Sequence, residues 1–255
     1  MAAFPLMLPG TSRPPKLVVF DLDHTLIACD ATILWTEFLY EKKIGTAPIW
    51  RQYDRDMVKS YAKGVLDIRD FCRKHAGAFR SIPEEKLHAL AQEFAKKKIA
   101  PLIFPDGKKW AKNALQANIP ACVLSASAAF IVKPIAKLFG LTDAMGIELA
   151  FKDGFCTGEI VGIPTFQEGK VERLSQRLAE AGIGFEDVLF FTDSRNDLPL
   201  AERAGYTVCV NPDAVLESAA RKNGWKVAEW KLSLRTQMTA QVDAKGVPET
   251  QTVRS

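Results

Sequence analysis

The chain has 255 residues, 47% of them hydrophobic and 25% charged, which is enough apolar material for a substantial core and excludes a low-complexity or disordered protein. Its 34 basic and 30 acidic residues leave a net charge of +4, too mild to indicate nucleic acid as a partner and compatible with a small anionic substrate. Five cysteines without a CxxC pair, and no clustered histidines, argue against a disulfide framework and a structural zinc site, and point to a reducing cytoplasm.

Residues 1–15 carry four prolines and read as a flexible arm. No basic stretch precedes an uninterrupted apolar run there, so no signal peptide is expected. Lys16–Phe20 is short, β-branched and aromatic, which predicts a buried strand. From 31 to 100 the valine-rich runs vanish and apolar residues recur at helical spacing, as in Ile33, Leu34, Phe38 and Leu39. Breaks at Gly45, Gly64, Gly77 and Pro83 divide this stretch into three to five helices, with Trp35, Trp50 and Phe94 in their core.

After Pro105 helices and strands alternate. The pattern predicts a helix over 106–118, a strand over 119–124 and a helix over 126–139 closed by Gly140. A hairpin over 146–162 turns at Lys152-Asp153-Gly154, and a helix follows over 167–181. Strands over 188–191, 206–210 and 225–227 alternate with helices over 197–204 and 213–223. Past 234 the apolar content is low and the tail reads as disordered. The longest nearly apolar run, Ile119–Val132, is shorter than a membrane span and contains Ser125 and Ser127, so no membrane partner is expected. The expected class is α/β, a three-layer α/β/α Rossmann-like core built from 16–30 and 101–233. A helical cap, 31–100, is inserted after its first strand.

In a parallel sheet, functional groups gather at the carboxyl ends of strands. The first strand ends in Asp21, Leu22, Asp23; the second in Ser125; the 188–191 strand in Thr192 and Asp193, with Asn196 and Asp197 following. Lys170 opens the 167–181 helix. Two carboxylates one residue apart at the end of an apolar strand repel each other unless a positive charge compensates them. Oxygen ligands without His or Cys fit Mg²⁺, with Asp21 and Asp193 the best direct side-chain ligands. With such screening, one carboxylate can attack phosphorus and the other can move the proton. Lys170, Ser125 and main-chain N–H groups near Asp21–Asp23 and after Ser125 would hold the phosphoryl oxygens.

These residues carry a resemblance. "DLDHTL" (Asp21–Leu26), "VLSAS" (Val123–Ser127), "EGK" (Glu168–Lys170) and "FTDSRNDLPL" (Phe191–Leu200) resemble, in order, the four motifs of the haloacid dehalogenase superfamily of phosphatases. The sequence is most similar to the branch of phosphoserine and histidinol-phosphate phosphatases. The resemblance implies Asp21 as nucleophile and Asp23 as general acid and base, Asp23 also giving its main-chain carbonyl to Mg²⁺. It implies Ser125 and Lys170 on phosphate, Asp193 on Mg²⁺, and Asn196 with Asp197 orienting Lys170, the metal shell or the substrate.

Two positions depart from the family pattern. His24 follows the second aspartate where Gly or Ser is frequent, and Ala126 follows the motif serine where Gly is frequent; Ala126 still offers its N–H to phosphate. In phosphoserine phosphatases an acid shortly after the first motif pairs with the substrate amino group, and Asp30 stands at about that place. Their cap arginine for the substrate carboxylate falls near His75, with Arg69, Arg73 and Arg80 nearby. The implied activity is Mg²⁺-dependent hydrolysis of a small phosphorylated metabolite through an aspartyl-phosphate. A phosphotransferase or mutase would use the same intermediate, and a non-catalytic phosphate sensor would keep the pocket. Nothing in the sequence separates monomer from homodimer.

Overall fold

The computed structural model describes residues 13–44, 56–57, 59–61 and 63–233. The expectations for residues 1–12, for the tail from 234 and for Trp50 lie outside them. Strand β1 (Leu17–Phe20) is buried along its whole length, as a central parallel strand covered on both faces must be. With β2 (Ala121–Ala128), β3 (Asp143–Ile147), β6 (Val188–Thr192), β7 (Tyr206–Val210) and β8 (Lys226–Ala228) it forms a six-stranded sheet in the order β3-β2-β1-β6-β7-β8, every neighbouring pair parallel. The chain leaves β1 toward one edge and returns on its other side at β6. The crevice at such a reversal, beyond the carboxyl ends of β1, β2 and β6, is where an open α/β sheet places its ligand.

Helices α4 (Pro105–Gln116), α5 (Ala129–Ala136), α6 (Glu168–Ala181), α7 (Leu198–Ala201) and α8 (Ala214–Asn223) connect the strands. Between β1 and α4 stand α1 (Ala31–Glu41), a helical stretch within 56–61, α2 (Ile68–His75) and α3 (Glu84–Phe94). Asp30 caps α1 by accepting from Ile33 N, and Asp67 caps α2 by accepting from Arg69 N and Asp70 N. Trp35 binds this insertion to the sheet layers: its ring lies 5.4 Å from Phe94, 5.7 Å from Phe38 and 5.6 Å from Phe130 at the start of α5. The antiparallel pair β4 (Leu149–Lys152) and β5 (Phe155–Ile160) turns through Asp153 and Gly154, both at positive φ, and packs on α2. No helix among the described residues is long and apolar enough to cross a membrane.

Two expectations are corrected. The second strand does not stop at Leu124 but runs to Ala128, and the following helix begins at Ala129 rather than 126. The cause is a strand the periodicity did not give. Asp143–Ile147, whose last two residues were assigned to the hairpin, pairs with β2 as far as Ala128↔Ile147, across a register shift after Leu124. Locally, Ser127 N donates to Ser125 Oγ, a side-chain turn that competes with helix. Gly146 is the position that permits the approach, because a Cβ there would stand 2.7 Å from the Ser127 carbonyl oxygen.

Candidate active site

Immediately after β1 the main chain of Asp21 donates to Phe191 O across the sheet. The chain then folds back on itself: Thr25, Leu26 and Ile27 N–H groups all converge on Leu22 O, and His24 takes φ 56°. Leu22 is buried beneath this loop, so Asp21 and Asp23 emerge on either side of it into the crevice.

The two carboxylates have different company. Asp21 Oδ1 accepts from Lys170 Nζ at 2.7 Å, and the same ammonium donates to Asp197 Oδ2 at 2.8 Å. Thr192 Oγ1 donates to the same Asp197 oxygen at 2.7 Å. Lys170 is the one buried lysine or arginine among the described residues. Asp23 Oδ1 accepts from Ala31 N at 2.6 Å, while its Oδ2 accepts from Ser127 Oγ at 2.8 Å and Ser125 Oγ at 3.2 Å. Asp193 Oδ1 accepts from Thr25 Oγ1 at 3.2 Å.

Electrostatics follow from that arrangement. Burial would lower the Lys170 ammonium, but Asp197 and Asp21 outweigh it and hold its pKa above the usual lysine range. Burial raises Asp21 and Asp193, each further raised by a neighbouring carboxylate, and pushes Asp197 up to about 6. Asp23 is pushed up to about 6 by burial and then by the charge of Asp30. Four carboxylates thus gather around one buried ammonium that pairs with two of them, Asp21 and Asp197, and the excess negative charge is what a divalent cation would offset. Among the described residues no three His, Cys, Asp or Glu side chains gather to enclose an ion by themselves. Asp21 and Asp193 are the carboxylates that could hold such an ion, together with main-chain oxygen and water. Such a set suits Mg²⁺ and does not suit zinc.

Above these groups lies a cavity of about 240 Å³. Asp23, Asp193, Ala126 and Ser127 form its floor, and Asp30, Met57, Tyr61, Leu66, Ile68 and Phe71 are among the residues of its walls. Asp30 is both the cap of α1 and part of that wall. Arginine is absent from the lining among the described residues. His75 stacks on Phe71 with ring centroids 5.3 Å apart and lies 3.1 Å from Thr36 Oγ1 through Nε2. Burial lowers its pKa to about 4, so it is a neutral core residue. Arg73 pairs with Glu159 on the surface, and Arg80 donates to Arg73 O. Cys29, half-buried near the mouth, has its thiol pushed up by burial and by Asp23 and Asp30, which makes it a poor nucleophile.

Of the residues expected here, the structure brings Asp21, Asp23, Ser125, Lys170, Asp193 and Asp197 into one cluster and places Asp30 and Ala126 on the cavity. Asn196 Nδ2 donates to Tyr61 O at 3.0 Å, in the insertion, and to Ser194 Oγ at 3.2 Å. Ser127, Thr192 and Thr25 contribute hydrogen bonds to which the sequence assigned no role. Ser127 was within reach of a period-two reading, since it shares a strand face with Ser125, and Thr192 stands at the strand end already singled out; Thr25 carried no spacing signal.

A profile of the haloacid dehalogenase-like hydrolases matches residues 18–202. The chain is similar to a histidinol-phosphatase of Neisseria meningitidis, 35% identical over 220 residues that cover 85% of this chain and 99% of that protein. A solved structure of a protein of unknown function from Bordetella pertussis Tohama I matches with a TM-score of 0.75 and 31% identity, over 83% of this chain and 96% of that one. A phospho-aspartyl intermediate analogue of phosphoserine phosphatase shares the fold, with a TM-score of 0.65 and 21% identity over 89% and 99% of the two chains.

Proposed function

The chain belongs to the haloacid dehalogenase-like hydrolases, and from that premise we propose that it hydrolyses a small phosphomonoester, with Asp21 as nucleophile and Asp23 as general acid and base. The observation that carries this reading is the division of partners between two carboxylates one residue apart. Lys170 pins and orients Asp21. A separate set of donors, Ala31 N and the hydroxyls of Ser125 and Ser127, positions Asp23, whose pKa near 6 suits proton transfer around neutral pH.

In the first half-reaction an Asp21 oxygen attacks phosphorus, the ester P–O bond breaks, and Asp23 gives its proton to the departing alkoxide. In the second, Asp23 takes a proton from water as that water attacks the phosphoryl group, and Asp21 leaves as carboxylate. Lys170 and Ser125 stabilise the phosphoryl oxygens throughout. A divalent cation held by Asp21 and Asp193 supplies charge neutralisation for the phosphoryl group when bound. The helical insertion 31–100 acts as a cap that excludes bulk water.

The cation has a signature in stability. A carboxyl whose folded pKa is raised costs the folded state free energy above that pKa, and the cost fades as pH falls through it toward the unfolded value. Asp23 and Asp197 place this window at and below about pH 6. Saturating Mg²⁺ is accordingly expected to raise the thermal midpoint by about 5 °C or more at pH 8, and by less than half as much at pH 5. Scanning calorimetry with and without the ion reads the difference, and an increment independent of pH would contradict the assignment.

The cavity also favours a substrate class. Among the described lining residues Asp30 offers a carboxylate to a cationic group, beside apolar side chains such as Leu66, Ile68 and Phe71. That lining suits a phosphate ester bearing an amine or imidazole, as histidinol phosphate does. We expect kcat/KM for histidinol phosphate to exceed that for phosphoserine by at least about tenfold in a phosphate-release assay. Equal or reversed efficiencies would remove this substrate class and leave the chemistry standing.

A further inference from the structure

Gln167 occupies a backbone position that favours glycine. Its φ of 49° and ψ of −123°, with Gly169 N donating to Phe166 O at 2.9 Å, make it the first central residue of a type II′ turn. A side chain there costs on the order of 1–3 kcal/mol. A non-glycine residue under such strain calls for something its side chain does in return.

That side chain bridges three segments. Gln167 Nε2 donates to Gly64 O in the helical insertion at 3.2 Å and to Asn196 Oδ1 at 3.2 Å. Asn196 returns to the insertion through its own amide, Nδ2 donating to Tyr61 O at 3.0 Å. The Tyr61 ring packs 5.7 Å from Phe166, the residue before the glutamine. Both loops that take part lead directly into the charge cluster: Gln167 precedes Lys170 by one turn, and Asn196 precedes Asp197, the second carboxylate under that lysine.

We infer that Gln167 is a positioning residue whose amide latches Gly64 of the insertion onto the loops carrying Lys170 and Asp197, so that seating the insertion and setting the ammonium are one event. The backbone geometry predicts how this separates from a structural role. If the residue served the turn alone, Gln167→Gly would be neutral or better, because glycine adopts this φ without cost.

The catalytic half of this inference rests on the phosphatase reading above; the latch itself does not. Hydrogen exchange on the ligand-free protein, in Gln167→Gly and in the isosteric Gln167→Glu, tests it. The Gly64 and Val65 amides, bonded to Tyr61 O and Ser60 O, are expected to exchange about tenfold faster in both variants. Amides of β1 and β6 should be unchanged, and the thermal midpoint of Gln167→Gly should equal or exceed that of the parent. Unchanged exchange at 64–65 in Gln167→Gly would overturn the latch. In turnover, a weakened latch lowers the fraction of competent protein, which substrate binding can restore. KM for the phosphate ester should therefore rise about tenfold while kcat stays within about twofold. A parent-like KM in both variants overturns the positioning role. A parent chain that hydrolyses no phosphate ester defeats the catalytic reading instead, and the exchange result still decides the latch.

Discussion

Asp21→Asn is expected to fold as well as the parent and to lose at least about ten-thousand-fold in phosphate-ester turnover. The amide keeps the shape and one acceptor, so Lys170 Nζ retains a partner at the place now 2.7 Å from Asp21 Oδ1. Removing one of four crowded carboxylates also relieves repulsion that now falls on Asp193, so the midpoint should hold or rise. What disappears is the nucleophile, because an amide oxygen cannot carry the phosphoryl group and return as a carboxylate. Asp23 cannot substitute, since Ala31 N, Ser125 and Ser127 occupy its oxygens. Acid-quenched parent protein should carry a phosphoryl mass on the peptide containing Asp21, and the variant none. Near-parental hydrolysis by Asp21→Asn would end the proposed mechanism.

The parts of this site legible in the sequence were those that a strand end carries in register. Asp21, Ser125 and Asp193 each follow or extend a run of buried residues, and alternation places such residues at one edge of a parallel sheet. Lys170 was legible through its helix start. The residues that escaped depend on contacts between distant segments. Asp143–Ile147 has neither a β-branched run nor alternation, and it becomes a strand because β2 presents an unpaired edge to it. His75 ends a helix, Ile68–His75, in which four of eight residues are charged, a pattern that gives no sign of its ring being enclosed by Phe71 and Phe79. Gln167 carries no signal at all, because its significance lies in a positive φ and in partners roughly a hundred residues before and thirty after it. Asn196 reads from the sequence as orienting Lys170, the metal shell or the substrate; its bonds to Tyr61 O and Ser194 Oγ, one of them to a residue 135 positions away, carry no sequence signal.

Lys170→Met is expected to abolish turnover and to destabilise the protein together, and its pH dependence identifies the cause. Methionine fills the same volume without the charge, leaving Asp21 and Asp197 buried without their shared cation. Breaking a buried pair in this way costs about 3–5 kcal/mol, which in a chain of this size lowers the midpoint by roughly 6–20 °C. Lys170 is what lowers the pKa of both carboxyls against the opposing pull of burial. Without it their folded values rise further above the unfolded ones, so the variant takes up protons as pH falls and regains stability. The deficit should thus be greatest near pH 8 and shrink toward pH 5. Adding Asp197→Asn to Lys170→Met removes one of the two stranded charges and should recover most of the lost midpoint at pH 8, with no recovery of hydrolysis. A stability loss in Lys170→Met that is independent of pH, or that the second substitution leaves untouched, would mean that the lysine contributes its packing and that its charge is not what holds the two aspartates in place.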